Sequence, residues 1–137
     1  MKKFKNKTLL IIKPGFLYDG FYIRKAILDK GFKILLEATV RLTKEEACSF
    51  YFKKKDKFFF SQLTDYMSSD EIVVVMLEKD NAIEELKTLL GNVNPSKATE
   101  GTLRASFGID VMRNVCHASD SEEDAKRECD FFFGLEL

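Results

Sequence analysis

The only histidine of this chain, His117, lies between an apolar stretch and an acid-rich segment that begins at Ser119. An imidazole is ordinarily neutral near pH 7 and has one free ring nitrogen, so it can act as a nucleophile or as a proton carrier. No second histidine can share that work. If the protein uses histidine chemistry, His117 is its site.

Four charged side chains are candidates to work with this histidine. One reaction open to a nucleophilic histidine is attack on a phosphoryl group. Such a reaction requires mainly that the reactants are positioned and that negative charge on the moving group is neutralised. Lys13, Lys87 and Arg104 can supply positive charge. Glu128 can accept a hydrogen bond from the second imidazole nitrogen and so fix the reactive tautomer. Charged residues are also typical of solvated surfaces, and that interpretation stays open for Lys13 and Lys87.

Cys116, His117 and Cys129 form the alternative set, which would bind a metal ion. Zinc in proteins is bound by cysteine and histidine, usually with four ligands. Adjacent residues of a strand point to opposite faces of a sheet, so Cys116 and His117 are not expected to reach one ion. The pattern therefore favours a nucleophilic histidine over a metal-binding one.

Composition predicts one domain over residues 1–137, because 45% of the residues are hydrophobic and 32% are charged. The 22 basic and 22 acidic residues cancel, so no overall field favours a nucleic acid or an anionic membrane as partner. An RNA-binding domain is suggested only by the aromatic content of 12%, and no K/R-G-F-like strand motif accompanies it. We therefore expect neither a nucleic-acid partner nor a membrane partner.

Cysteine usage predicts a cytoplasmic protein. The three cysteines are an odd number without C-x-x-C spacing, which is typical of a reducing compartment. The apolar run before Lys13 is shorter than the apolar region of a signal peptide, and no run approaches the length of a membrane span.

The alternation of segments predicts an α+β fold. Strands are predicted at residues 8–13, 32–40, 72–77 and about 113–117. A first helix is predicted around Ile23, Ala26 and Ile27, and a second one begins after a capping box formed by Thr43 and Glu46. Two further helices are predicted at residues 80–90 and at about 121–132. A long irregular stretch is predicted at residues 92–108. This order matches a ferredoxin-like β-α-β-β-α-β antiparallel sheet with the helices packed on one face.

Five motifs occur in one order along the chain. They are I-K-P at residues 12–14, Y-M at 66–67, N-P at 94–95, G-T-L-R at 101–104 and R-N-V-C-H-A-S-D-S at 113–121. Together they resemble the nucleoside diphosphate kinase family over about residues 7–133, and the last motif is highly specific. The resemblance implies a ping-pong reaction, in which a nucleoside triphosphate, mainly ATP, phosphorylates His117 and a nucleoside diphosphate then accepts the phosphoryl group.

The resemblance also implies a role for each matching residue. Glu128 orients His117, Ser119 supports the same hydrogen-bond network, and Lys13 and Tyr51 lie beside the transferred phosphate. Asn114 contacts the 3′-hydroxyl of the sugar, Arg104 binds phosphate, Phe59 stacks on the base, and Lys87 and Val93 occupy positions of the phosphate site. The implied cofactor is Mg²⁺ held mainly by the substrate phosphates, and the implied assembly is a homo-oligomer, commonly a hexamer and in some members a tetramer.

Several residues depart from the family pattern. Lys87 replaces arginine, Val93 replaces threonine, Met112 replaces glycine, Asp19 replaces arginine, Pro14-Gly15-Phe16 replaces Pro-Asp-Gly, and about two residues are missing before Gly31. Each lost bond would cost roughly 0.5–3 kcal/mol. We therefore expect retained chemistry with weaker or altered nucleotide binding. The alternative is a catalytically weak, family-like protein that binds a nucleotide or a partner, and formation of phosphohistidine separates the two.

Overall fold

An antiparallel sheet of four strands forms the centre of residues 6–134, the part of the chain that the computed structural model describes. The strands are β1 (Lys7–Ile12), β2 (Lys33–Val40), β3 (Ile72–Glu78) and β4 (Cys116–Ala118), in the order β2-β3-β1-β4. All neighbouring pairs are antiparallel. This order confirms the ferredoxin-like α+β prediction. Residues 1–5 lie outside the described residues. They begin the N-terminal segment, up to Lys13, whose apolar run is shorter than that of a signal peptide.

Both faces of the sheet are covered, which corrects the prediction that the helices lie on one face. Leu10 and Ile12 of β1 point into one buried core, whereas Leu9 and Ile11 point into another. The helices α1 (Gly20–Asp29) and α4 (Ala82–Leu90) pack on the first core, and α2 (Lys44–Phe50), α3 (Phe60–Met67) and α6 (Glu122–Phe133) pack on the second. The reason is that β1 and β3 are almost continuously apolar, so both of their faces must be buried.

Helix starts agree with the capping signals in the sequence. Thr43 Oγ1 accepts a hydrogen bond from Glu46 N at 3.0 Å, and Glu46 Oε1 accepts one from Thr43 N at 2.8 Å, which confirms the capping box. The helix predicted at residues 80–90 is α4, which ends at Gly91 with a φ of 88°. The helix predicted from about Ser121 is α6, whose first turn is capped by the Ser121 hydroxyl.

The stretch predicted as irregular contains helical segments, and the last strand is shorter than predicted. A 3₁₀ turn (Pro95–Lys97) and a fifth α-helix, α5 (Leu103–Phe107), lie between residues 92 and 108. Thr102 caps α5 by accepting a hydrogen bond from Ala105 N at 3.3 Å. β4 begins only at Cys116 because Val115, with a φ of 82°, is not in an extended conformation. Within the described part of the chain, no helix combines the length and the apolar character that crossing a membrane requires.

Candidate active site

His117 lies in the middle of the edge strand β4, opposite Ile11 of β1. Its side chain is on the side of the second core, where the ring of Phe50 stands 5.4 Å away and that of Tyr51 5.9 Å away, both edge-on. The side chain keeps 16% of its surface exposed. The imidazole is therefore held by aromatic neighbours while it stays accessible to a small reactant.

A buried carboxylate orients this imidazole. His117 Nε2 lies 2.8 Å from Glu128 Oε1, and the side chain of Glu128 is 5% exposed. An ionised carboxylate only accepts hydrogen bonds, so with Glu128 ionised the proton lies on Nε2 and Nδ1 keeps its lone pair. The contact joins the two side chains that the sequence analysis paired.

Ser119 connects the carboxylate to the central strand of the sheet. Its hydroxyl donates to Glu128 Oε1 at 2.8 Å and accepts a hydrogen bond from Leu9 N at 3.2 Å. Ser119 is fully buried. Glu128 Oε1 is therefore fixed by two donors, one of which is anchored on β1.

A strained turn precedes β4. Cys116 N donates to Asn114 O at 3.1 Å across Val115, which has a φ of 82° and is fully buried. This is the pattern of a γ-turn, and a β-branched residue in such a conformation costs on the order of 1–3 kcal/mol. Lys13 N donates to Val115 O at 2.9 Å and holds the turn against the end of β1. The turn therefore sets the position at which β4 begins, one residue before His117.

Lys13 is a buried amine beside Asn114. Its Nζ donates to Asn114 Oδ1 at 2.8 Å and to Met112 O at 3.2 Å. Burial, followed by the positive charge of Arg104, lowers the pKa of Lys13 from 10.5 to about 7. Near neutral pH this lysine is therefore poised to take up a proton when an anion arrives.

Arg104 binds three backbone carbonyls around the turn. Its Nε donates to Asn114 O at 3.1 Å, its Nη1 to Gly91 O at 2.9 Å and its Nη2 to Cys116 O at 2.7 Å. Burial lowers the pKa of this guanidinium from its ordinary value. The side chain therefore holds the strand of His117 to the end of α4, in addition to placing a positive charge near Lys13.

Tyr51 presents a buried hydroxyl without a hydrogen-bond partner among the described residues. Burial, and then the negative charge of Glu128, raises the pKa of this phenol well above its usual value, so the hydroxyl keeps its proton. Buried polar groups are rarely left unsatisfied in a native protein. A donor of this kind beside His117 suits a phosphate oxygen.

The remaining predicted residues make their contacts outside the His117–Glu128 pair. Asn114 Nδ2 donates to Val93 O at 2.9 Å, but the side chain of Val93 is 61% exposed. Lys87 Nζ donates to Asp120 O at 3.1 Å and lies 3.7 Å from the carboxylate of the same residue. Phe59 is partly buried against the second core at the start of α3.

The aromatic run next to Phe59 is only partly buried. A run of phenylalanines is ordinarily part of a core, yet the ring of Phe58 is 97% exposed. It lies on the connection between α2 and α3, where no core element covers it. Met112 is partly buried against the second core.

The sequence interpretation missed one nearby cation. Lys54 belongs to a 3₁₀ turn (Phe52–Lys54) directly after Tyr51, and its charge contributes to the lowered pKa of Lys13. The signal was the lysine run at residues 53–55, which immediately follows a predicted site residue. Lys54 therefore adds positive charge close to Lys13.

The cysteines do not gather around His117. Cys116 is buried in the first core and Cys129 in the second, so the sheet separates the two thiols. Among residues 6–134, no three histidine, cysteine, aspartate or glutamate side chains converge as a metal site. The lining of the site is cationic instead, which suits an anionic ligand.

Known proteins match this chain over nearly its whole length. The family model "Nucleoside diphosphate kinase" matches residues 6–136. Nucleoside diphosphate kinases of Persephonella marina and of Histophilus somni strain 129Pt are 41% and 42% identical to it. The first alignment covers 93% of both chains, and the second covers 93% of this chain and 92% of the relative.

Solved structures are similar as well. The nucleoside diphosphate kinase of Aquifex aeolicus superposes with a TM-score of 0.90 at 34% identity, covering 93% of this chain and 94% of the other. The enzyme of Halobacterium salinarum in complex with CDP gives a TM-score of 0.88 at 28% identity, covering 94% and 88%. With the family model and the sequence relatives, these matches establish that the chain belongs to the nucleoside diphosphate kinase family.

Proposed function

We propose that this nucleoside diphosphate kinase works through a phosphorylated His117 in a ping-pong cycle, with ATP as the main donor. The observation that carries the proposal is the hydrogen bond of 2.8 Å between His117 Nε2 and Glu128 Oε1. It leaves the Nδ1 lone pair free to attack the γ-phosphorus while the bond to the leaving diphosphate oxygen breaks. A nucleoside diphosphate then attacks the phosphohistidine, and the same bonds form and break in reverse.

The side chains near His117 support this cycle with distinct roles. The carboxylate of Glu128 stabilises the positive charge that develops on the imidazole, and Ser119 keeps that carboxylate in place. We assign the unpartnered hydroxyl of Tyr51 and the amine of Lys13 to the transferred phosphate. Arg104 contributes positive charge at the same end of the sheet.

The nucleotide would extend outward from this centre. Asn114 would contact the 3′-hydroxyl of the sugar, Lys87 and the segment around Val93 would border the phosphates, and Phe59 would stack on the base. A site that stacks on the base without hydrogen bonds to the base edges would accept nucleotides with different bases. The CDP complex of the Halobacterium salinarum relative supports nucleotide binding by this fold.

Mg²⁺ is the divalent ion that we propose, bound mainly by the substrate phosphates. The donor set fits this arrangement, because the cationic lining suits phosphate and residues 6–134 hold no cluster that would bind an ion by itself. When bound, the ion neutralises charge on the β- and γ-phosphates.

We further propose a single-domain, cytoplasmic protein that forms a homo-oligomer, with a hexamer as the expected size. Exposed aromatic rings at the start of α1 support association, since Tyr18, Phe21 and Tyr22 are 100%, 70% and 60% exposed. The outer edge of β2 is unpaired within the described chain and is also available for association. Light scattering after size-exclusion chromatography measures the number of copies, and a monomer at micromolar concentration would contradict the proposal.

The test of the chemistry is a labelling experiment. The protein is incubated with Mg²⁺ and γ-labelled ATP, acid-labile label is sought on His117, and GDP is then added. We expect the label to appear on the protein and to move to GTP, and we expect none on the His117→Ala variant. The alternative is a catalytically weak nucleotide-binding or partner-binding protein, motivated by Lys87, Val93 and Met112, and absence of label at millimolar ATP would favour it.

A further inference from the structure

We infer that Arg127 is a positioning residue that keeps Glu128 a pure hydrogen-bond acceptor and thereby holds His117 in the tautomer with a free Nδ1. The inference rests on the proposed role of His117 as nucleophile. Arg127 lies on α6, next to Glu128 in the sequence, and is partly buried. It was not among the residues singled out by the sequence.

The two oxygens of Glu128 have different partners. Oε1 receives His117 Nε2 and the Ser119 hydroxyl, each at 2.8 Å. Oε2 lies 3.5 Å from Arg127 Nη2, and this nitrogen is the partner of Oε2 among the described residues. The carboxylate is 5% exposed and the Arg127 side chain 30%, so water reaches this ion pair from the side of the arginine only.

Several contacts hold the guanidinium in this position. Arg127 Nη1 donates to Phe50 O, the carbonyl at the end of α2, at 3.2 Å. The guanidinium carbon lies 5.8 Å from the ring centre of Phe50 and 5.2 Å from that of Phe52, within the range of cation–π contact. The charge is therefore fixed between α6 and the segment that carries Tyr51.

The negative charge of Asp124 near Arg127 does not cancel the attraction between Arg127 and Glu128. Asp124 Oδ1 lies 3.7 Å from Arg127 Nη2, but it is also bound by Lys53 Nζ at 2.5 Å. The negative charge of Asp124 is thus shared between two cations. Arg127 keeps positive charge available to the second oxygen of Glu128.

The consequence concerns where the imidazole proton resides. An ionised Glu128 can only accept, so the proton must be on Nε2 and Nδ1 is nucleophilic. A protonated Glu128 can donate to Nε2 instead, which leaves the proton on Nδ1 and removes the nucleophile. A fixed cation on Oε2 disfavours that second arrangement.

The same contacts would also serve a purely structural tie between α6 and α2, and three variants separate the two roles. Arg127→Lys keeps the charge and loses the planar group. Arg127→Met keeps an apolar stem and loses the charge, and Arg127→Gln is a second neutral variant in case one of them folds poorly. Lys126→Met is the matched control, because it removes one positive charge from an exposed position of the same helix.

The single histidine makes the tautomer directly measurable. With ¹⁵N-labelled histidine, the ring nitrogens of His117 give one pair of NMR signals without any assignment, and their shifts report the tautomer above about pH 7.5, where an ordinary imidazole is neutral. We expect the Nε2–H form in wild type, Arg127→Lys and Lys126→Met, and a substantial fraction of the Nδ1–H form in the neutral Arg127 variants. In single-turnover labelling with ATP, these neutral variants should be about tenfold slower, with an unchanged ATP concentration at half-maximal rate.

Two results would overturn the inference. One is a wild-type tautomer in both neutral variants. The other is an equal shift in Arg127→Lys and Arg127→Met, which indicates a structural tie alone. The NMR measurement needs no nucleotide and is therefore independent of the proposed function. If His117 does not become phosphorylated, the proposed function is refuted, and the NMR spectra still show whether Arg127 sets the tautomer of His117.

Discussion

Lys13 Nζ and Asn114 Oδ1 are 2.8 Å apart, so the residue that follows β1 is hydrogen-bonded to the residue that opens the strained turn before β4. The contact joins two segments separated by 101 positions in the chain. It places a buried amine and a buried amide side by side next to the end of β1.

The first prediction is that binding of a nucleoside diphosphate takes up protons near pH 8. The pKa of Lys13 is lowered to about 7, mainly by burial, so the amine is largely neutral above that pH. A bound phosphate favours the charged amine and raises this pKa, so the lysine gains a proton. Calorimetry in buffers of different ionisation enthalpy measures the uptake. Lys13→Met should lose it, and equal uptake in the variant would show that another group supplies the effect.

The second prediction is that Glu128→Gln slows phosphorylation of His117 by about 10²–10⁴-fold. The amide of glutamine can donate to Nε2, which favours the tautomer with a proton on Nδ1. Single-turnover labelling with ATP measures the rate. Glu122→Gln, an exposed change on the same helix, serves as the control. A rate within a factor of two of wild type would rule out the assigned role of Glu128.

The third prediction is that Lys87→Arg lowers the KM for nucleotide by roughly three- to tenfold and leaves kcat nearly unchanged. The lysine supplies a point charge that is shared with Asp120, whereas a guanidinium can bind phosphate through two parallel hydrogen bonds. Steady-state kinetics with ATP and a nucleoside diphosphate provide the measurement. Lys97→Arg is the control for a general effect of an added arginine. An unchanged KM in Lys87→Arg would place residue 87 outside the phosphate site.

The fourth prediction concerns Gly91, whose carbonyl accepts a hydrogen bond from Arg104. Its φ is 88°, and a Cβ there would lie 2.5 Å from Thr102 Oγ1, which is held by its bonds to Thr99 O and Ala105 N. We expect Gly91→Ala to lower the free energy of unfolding by about 2–4 kcal/mol in urea titrations.

Gly101→Ala is the matched control for this variant. Gly101 has a similar φ of 94°, but a Cβ there would meet nothing within 4 Å, so only the backbone strain of about 1 kcal/mol should appear. Equal losses in the two variants would contradict the predicted clash with Thr102.

Local signals in the sequence were sufficient for much of the fold. The capping box of Thr43 and the apolar stripe of α4 depend on neighbouring residues, and both were predicted. α5 was missed although Thr102 is a typical cap, because its five residues are too few to show a helical period. The covered second face of the sheet could have been inferred from the continuous apolar run of β3, which has no polar side to expose.

The site was predictable only in part. The resemblance paired His117 with Glu128, and the structure brings these two side chains together. The left-handed conformation of Val115 could not be predicted, because a buried β-branched residue rarely adopts it and the long-range bonds of Lys13 and Arg104 enforce it. The contribution of Arg127 likewise depends on the end of a helix that lies 77 positions away in the chain.

The position of β1 between β3 and β4 has a consequence for biosynthesis. Leu9 N is bonded to the Ser119 hydroxyl across 110 positions of the chain, so β1, the first of the four described strands in sequence, receives its last partner only after β4 has been synthesised. Contacts of such separation close late in folding because of the entropy of the intervening loop. Until then, the edge of β1 that β4 will cover is unpaired and available to other chains.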